Sequence, residues 1–463
     1  MRIAQVIHGF PPENAAGSEL YAYYLSKELA RRHSVFVFYR IADRSLDEYA
    51  VVADTFDGLP VSKLNNTFKE CDSFSKTYRN DIIDRRFGEF LDLIGPDVVH
   101  FHHVTCLSTN LVRVAKERGV PVIFTLHDFW LICQRGQLVK RDLSLCQGPK
   151  PHECARCLAH QLSIRGGHQR VAQLYRRTKT MLGKELSRLK AFAKRLYLLR
   201  AKLFFMSQRD AVNQIQERTR HIKEICGLVD LFISPSQFLR AKFVEYGAPP
   251  GKILVSKYGH QTSYFSNFTK RRSGKLRFGY IGTLIPSKGV HVLVEAFNGV
   301  QNADAELEIH GSFLPYEGFE DYPDLLPRLV RNERIRFLGG YQHTQISNIL
   351  AGIDVLVVPS IWHENSPLTL HEAFLARTPV IASDLGGMAE LIQDGVNGLL
   401  FKAEDAADLR EKIEMVVRRP DLIAKLSANI GPVKTIEENA IEVEGIYRDF
   451  VTRSQRLSLA QTP

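Results

Sequence analysis

The chain has 463 residues, 44% hydrophobic and 24% charged, with seven cysteines and a formal net charge of +10. At roughly 100–200 residues per domain this is a soluble globular protein of two to four domains. The apolar run before Pro11 is too short for a signal-peptide core and far below the roughly 20 residues of a membrane span, so the expectation is a cytoplasmic chain. Seven cysteines in that compartment exclude a disulfide scaffold and direct attention to thiol chemistry or metal binding.

From the N-terminus, apolar runs of strand length alternate with amphipathic runs of helix length: "RIAQVIHGF", "SELYAYYLSKELARR", "SVFVFYR", then "PDVVHFHH", "LVRVAKERG" and "PVIFTLH". Short buried strands separated by helices predict a parallel sheet in an α/β domain. A cysteine-rich loop over 130–160 interrupts the pattern and holds Cys133, Cys146, Cys154 and Cys157 within 25 residues. Four such thiols ending in C-x2-C resemble a closed thiolate site, with structural zinc as the favoured occupant. An iron–sulfur cluster and a redox pair at Cys154 and Cys157 are the alternatives.

A basic helical insertion over 161–226 comes next. Between Arg165 and Arg220 there are 15 Lys+Arg and 3 Asp+Glu, a balance of +12 that exceeds the excess of the whole chain. Leu, Phe and Tyr at helical spacing among these cations suit an anionic membrane surface. A helical pair with a solvated basic face is the bland reading, and nucleic-acid binding is the competitor.

The alternation resumes with "DLFISPS" and "KILVSKYG" and crosses a polar linker, "QTSYFSNFTKRRSGK". It restarts through "LRFGYIG", "AELEIHG", "IRFLGG", "IDVLVVPS", "PVIAS" and "GLLF". The expectation is two Rossmann-like doubly wound domains facing a cleft, an N-terminal one over 1–265 and a C-terminal one over 274–430. A helix and tail over 431–463 pack back toward the first.

In such sheets ligands bind beyond the carboxyl ends of the strands, where helix N-termini offer free N–H groups. Gly17, His127 with Asp128, Gly282 with Lys288, and Glu364 all follow predicted strands. In "HENSPLTLHE" the Ser366-Pro367 pair predicts a helix start, with Ser as N-cap and Pro at the first helical position. Glu364 then sits in the loop and Glu372 on the helix, with the N–H groups near Leu368 and Thr369 between them. Carboxylates that accept hydroxyl hydrogen bonds beside a phosphate cradle suit a nucleotide-sugar, although acidic residues near a helix start also stabilise it electrostatically. His100 to His103 read as structural, because strand alternation sends neighbours to opposite faces.

"PSIWHENSPLTLHEAFLARTPVIASDLGGMAELIQDGVNGLLF" resembles the donor-domain signature of retaining nucleotide-sugar glycosyltransferases of family 4 (GT-B fold, glycosyl transferases group 1). The family's E-x7-E pair matches Glu364 and Glu372, and "GTLIPSKG" and "AGSE" match its other elements. The resemblance implies a hexosyl-type transferase that uses a UDP- or GDP-sugar without a catalytic divalent metal. Glu364 would lie near the reacting centre, Glu372 on the ribose, Lys288 on the diphosphate and His127 near the sugar and acceptor. Thr283 stands where the family usually has Arg, so a second cation must come from elsewhere, with Arg240 and Lys257 as candidates. The expected acceptor is lipid-linked or a surface polysaccharide, met at the inner membrane face. The rival function is a non-catalytic sugar-nucleotide or nucleic-acid binding protein on the same fold, but nucleic acid needs no such donor signature.

Overall fold

The structure, a computed structural model, describes residues 1–162 and 208–460. Most of the +12 segment therefore lies outside the described residues, including Arg176, Arg177, Lys194 and Arg195. Two sheets organise the rest. In chain order the strands are β1 (Arg2–Ile7), β2 (Ser34–Ile41), β3 (Val51–Phe56), β4 (Leu59–Asn65), β5 (Val98–Phe101), β6 (Val122–Thr125), β7 (Leu231–Ser234) and β8 (Ile253–Val255), then β9 (Leu276–Ile281), β10 (Ala305–His310), β11 (Ile335–Gly339), β12 (Val355–Val358), β13 (Val380–Ser383) and β14 (Gly398–Phe401). The first sheet has the order β3-β4-β2-β1-β5-β6-β7-β8 and the second β11-β10-β9-β12-β13-β14. All neighbours are parallel except β3 (Val51–Phe56) and β4 (Leu59–Asn65), an antiparallel hairpin at one edge. Its two-residue turn, Asp57-Gly58, holds both residues at positive φ, 46° and 78°. That is the geometry whose twist matches the flanking strands and which Asp-Gly adopts at low steric cost.

The central strands are buried on both faces, as parallel strands covered by helices are. In β1 (Arg2–Ile7), β5 (Val98–Phe101), β6 (Val122–Thr125) and β12 (Val355–Val358), every residue after Arg2 is buried. The covering helices carry matching stripes. In Asp81–Ile94, Ile83, Phe87, Leu91 and Ile94 lie on one face and are buried. Asn80 caps that helix by accepting from the amides of Ile82 and Ile83, and Gly95 ends it in the left-handed conformation.

The C-terminal helix Ile436–Ala460 belongs to the first sheet's core. Ile436, Ala440, Val443 and Tyr447 pack with Ile3, Tyr21, Val37 and Val98, and Arg32 pairs with Glu444 at 2.8 Å.

Strand order reverses at β1/β5 in one sheet and at β9 (Leu276–Ile281)/β12 in the other. Both reversals open toward one cleft, of about 940 Å³. Ligand crevices form at such switch points.

Candidate functional site

The cleft wall brings together Gly17 and His127 from the first sheet with Gly282, Thr283, Lys288, Glu364, Ser366, Leu368, Thr369 and Glu372 from the second. It is narrow where the domains meet: a Cβ on Gly17 would come within 4.0 Å of Leu368 Cβ. Glu364 is 5% exposed, and one of its oxygens accepts three hydrogen bonds. The donors are Lys288 Nζ at 2.5 Å, Ser360 Oγ at 2.8 Å and Trp362 Nε1 at 2.9 Å. Lys288 also lies over the Trp362 ring. A carboxylate this buried is tolerated because a cation and two further donors satisfy it.

The local backbone explains how Lys288 arrives there. Pro286–Lys288 forms one tight turn, and Gly289 at φ 70° starts the helix Val290–Asn298. A Cβ on Gly289 would sit 1.8 Å from Pro359 O, so only glycine lets the turn after β9 nest against the end of β12. Ile361 N donates to Ser287 O at 2.9 Å and ties the two loops together.

Glu372, 3% exposed, pairs with His343 Nε2 at 2.5 Å. His343 Nδ1 meets Tyr24 Oη of the opposite domain at 3.0 Å, and Tyr24 meets Tyr264 Oη at 3.1 Å. The helix start differs by one residue from the sequence expectation. Pro367 is the N-cap, with ψ 125°, and Leu368 opens the helix Leu368–Leu375. Ser366 does not cap it, because its hydroxyl pairs with His371 Nε2 at 2.8 Å. The first-turn amides of Leu368 and Thr369 still lack intrahelical acceptors, as at any helix start.

His127 faces the cleft with both ring nitrogens engaged, Nδ1 with Tyr258 Oη at 2.7 Å and Nε2 with His102 Nδ1 at 3.3 Å. Its carbonyl accepts from Asn365 Nδ2 at 2.9 Å, which joins it to the residue after Glu364.

Arg240 and Lys257 do not line the cleft. Arg240 is turned toward the carbonyls of Ile253 and Pro250. Among the described residues, the lysine and arginine on the cleft wall are Lys288 and Arg135. No local pattern in the sequence marks Arg135, because it sits in a stretch of the cysteine-rich loop that has no strand or helix period to set its path. It is held by turn bonds from Gly136 N to Cys133 O at 2.7 Å and from Phe129 N to Gly136 O at 2.9 Å. Its side chain reaches toward Glu317 of the second domain at 3.7 Å.

Cys133, Cys146, Cys154 and Cys157 line a separate cavity of about 340 Å³ that shares Gln134 and Arg135 with the cleft. All seven cysteines are free thiols. Burial, with Cys133 close by, pushes the Cys154 thiol up to about 11. Among the described residues no three or more His, Cys, Asp or Glu side chains converge as a metal site. The spacing of the four cysteines thus gathers them on one wall without producing a ligand cage, and neither zinc nor an iron–sulfur cluster is supported.

Several histidines around the cleft are held neutral. Burial, with Lys257 nearby, lowers His371 to about 4, and burial with Lys242 nearby lowers His363 to about 4. Burial also holds His127 and His260 well below the usual range. An unfolded chain binds these protons from about pH 6.5 downward, whereas the folded one resists, His371 and His363 until about pH 4. Stability should therefore be full above pH 6.5 and fall toward pH 4, each buried ring adding up to about 1.4 kcal/mol per pH unit. Denaturant midpoints at pH 7.5, 6 and 5 check this; equal midpoints at pH 7.5 and 5 would contradict it.

Two Rossmann-like sheets facing a cleft define the GT-B fold. Residues 15–192 match Glycosyltransferase Family 4 and residues 264–431 match Glycosyl transferases group 1, so the chain belongs to the family 4 glycosyltransferases. An uncharacterized glycosyltransferase of Methanocaldococcus jannaschii is 30% identical over 159 residues, 34% of this chain and 42% of that protein. The D-inositol 3-phosphate glycosyltransferase of Corynebacterium aurimucosum is 27% identical over 243 residues, 48% and 57% of the two chains. The matches thus span about half the length of these curated relatives.

Among solved structures, HepE of Anabaena in complex with UDP and glucose superposes with a TM-score of 0.58 at 16% identity, covering 99% of this chain and 98% of that one. Sucrose-phosphate synthase from Thermosynechococcus elongatus gives a TM-score of 0.66 at 16% identity, covering 98% and 99%. At such identities the likeness shows the fold alone.

Proposed function

We propose that the chain transfers a hexosyl group from a UDP- or GDP-sugar to an acceptor hydroxyl with retention of configuration. The observation that carries this is the convergence of Lys288, Glu364 and Glu372 at the start of the helix Leu368–Leu375. Breaking the bond to a nucleoside diphosphate leaves an oxocarbenium-like sugar and a leaving group whose negative charge grows. Lys288 and the amides of Leu368 and Thr369 are the donors for that charge, and Arg135 is the second cation that Thr283 does not provide. Glu372 accepts from the ribose, and His343 holds it in place. Glu364 lies near the sugar, opposite His127, and supports developing positive charge rather than acting as a nucleophile. In this reading the departing phosphate helps deprotonate the acceptor on the same face, which gives retention without a covalent intermediate.

The UDP-bound HepE complexes among the similar structures support a nucleotide in this cleft. The test is release of nucleoside diphosphate from a panel of UDP- and GDP-sugars without acceptor. Turnover of one donor is expected, and inertness toward all of them, with no binding, would defeat the reading.

A lipid-linked or surface-polysaccharide acceptor at the inner membrane face is proposed from the +12 segment. No helix among the described residues is long and apolar enough to cross a membrane. Co-sedimentation with acidic vesicles, lost on reversing Arg176, Arg177, Lys194 and Arg195 to Glu, tests it; equal sedimentation with neutral vesicles would refute it.

A further inference from the structure

We propose that Tyr447, on the C-terminal helix, is a positioning residue for His127 and sets through Gln5 and His102 which of its ring nitrogens carries the proton. The kinetic part rests on the reading of the cleft as a sugar-transfer site; the structural part does not.

The polar chain beneath the cleft is continuous. His127 Nε2 lies 3.3 Å from His102 Nδ1, and His102 Nε2 lies 2.7 Å from Gln5 Oε1. Gln5 Nε2 lies 3.2 Å from Tyr447 Oη, which lies 2.5 Å from His100 Nδ1. His100 Nε2 ends the run at Thr125 Oγ1, 2.7 Å away. Gln5, His100, His102, Thr125 and Tyr447 are all 0% exposed, so bulk water completes none of these bonds and each member must find its partner within the chain. Burial holds His100 at about 3 and His102 well below the usual range, so both rings are neutral.

A neutral imidazole has one donor and one acceptor, so the direction of one bond dictates the next. With the Gln5 carbonyl toward His102, His102 donates from Nε2. Its Nδ1 must then accept, and the donor is His127 Nε2–H. On the other side the Gln5 amide donates to Tyr447, and Tyr447 donates to His100. Turning the Gln5 amide over reverses every bond and moves the His127 proton to Nδ1. The rotamer of Gln5 is therefore the selector, and the Tyr447 hydroxyl, whose single proton goes either to His100 or to Gln5, lets the amide turn over only when His100 and Thr125 reverse with it, which holds the chain in one polarity.

The cleft end feels the choice. Tyr258 Oη lies 2.7 Å from His127 Nδ1 and 2.8 Å from Leu126 O, yet has one proton for the two. In the first polarity His127 Nδ1 competes with Leu126 for that proton; in the second it donates to Tyr258 and leaves the proton to Leu126. The His127 carbonyl meanwhile holds Asn365, next to Glu364. A hydroxyl on the C-terminal helix thus reaches the His127 ring through neutral side chains, and the His127 backbone carbonyl carries the link on to the donor loop.

The test is long-range proton–nitrogen NMR of histidine-labelled protein without ligand. Wild type should show His127 as a single neutral tautomer. Tyr447→Phe removes the lock and should convert it to a mixture, with ring nitrogen shifts moving toward each other. Turnover of the nucleotide-sugar that wild type consumes in the panel should fall roughly five- to tenfold, the size of one buried hydrogen bond, with KM unchanged. In a His127→Gln background the same substitution should have no further effect on turnover, whereas a merely structural role would lower it equally in both. An unchanged His127 tautomer in Tyr447→Phe, or equal losses in both backgrounds, would overturn the proposal. If Tyr447→Phe does not fold, Gln5→Met breaks the same chain one link nearer and must give the same mixture. Full activity of His127→Gln would instead defeat the catalytic reading of His127, while the tautomer result stands by itself.

Discussion

Glu364→Gln should lower turnover about 10²- to 10³-fold, the cost of losing one preorganised electrostatic group at a reacting centre, while donor KM stays nearly constant. The reason lies in what converges on this carboxylate. Lys288, Ser360 and Trp362 all donate to one oxygen, which leaves the other free to face the sugar. The amide keeps the shape but removes the charge that opposes the oxocarbenium-like centre. Glu372→Ala should do the opposite and raise donor KM about tenfold or more at nearly unchanged turnover, because a ribose contact is equally strong in ground and transition states. Steady-state kinetics on both variants decide; wild-type parameters for the pair would remove both residues from the site.

Lys288→Ala should cost more still, roughly 10³-fold in kcat/KM, because it strips the diphosphate of its nearest cation and leaves Glu364 buried without a counter-charge. The second effect is one of stability: breaking a buried pair by removing one partner costs about 3–5 kcal/mol. Thermal unfolding measured alongside kinetics separates the two. Arg135→Ala should lower kcat/KM less than Lys288→Ala and leave the melting temperature nearly unchanged, since its Glu317 partner is already at 3.7 Å. Normal kcat/KM in Lys288→Ala would remove the phosphate role.

What was legible in the sequence follows period and distance along the chain. Strands such as Val98–Phe101 and Val355–Val358 announce themselves as short apolar runs bounded by helical segments, and their order around two sheets places the loops that follow them. Lys288 and Glu364 are readable one by one because each lies in the loop that follows a strand. Their 2.5 Å pair is not, since it spans 76 residues. The same limit hid the His343–Glu372 pair and its tie to Tyr24 across the cleft, and the bond from Gln5 to Tyr447 across 442 residues.

Ser366 illustrates a finer failure. Ser-Pro predicts an N-cap correctly on propensity, but the neighbouring His371 offers the hydroxyl a partner that no local rule counts. Cysteine spacing likewise predicted proximity without predicting ligand geometry. The four thiols share a wall, yet among the described residues they do not converge as a metal site.

The most direct test of the central claim is a crystal structure of the protein with the nucleoside diphosphate released in the donor panel. The diphosphate should lie within hydrogen-bonding distance of Lys288 Nζ and the Leu368 and Thr369 amides, with Glu372 on the ribose hydroxyls. A nucleotide seated outside this cleft, or in it with Glu372 and Lys288 untouched, would contradict the account.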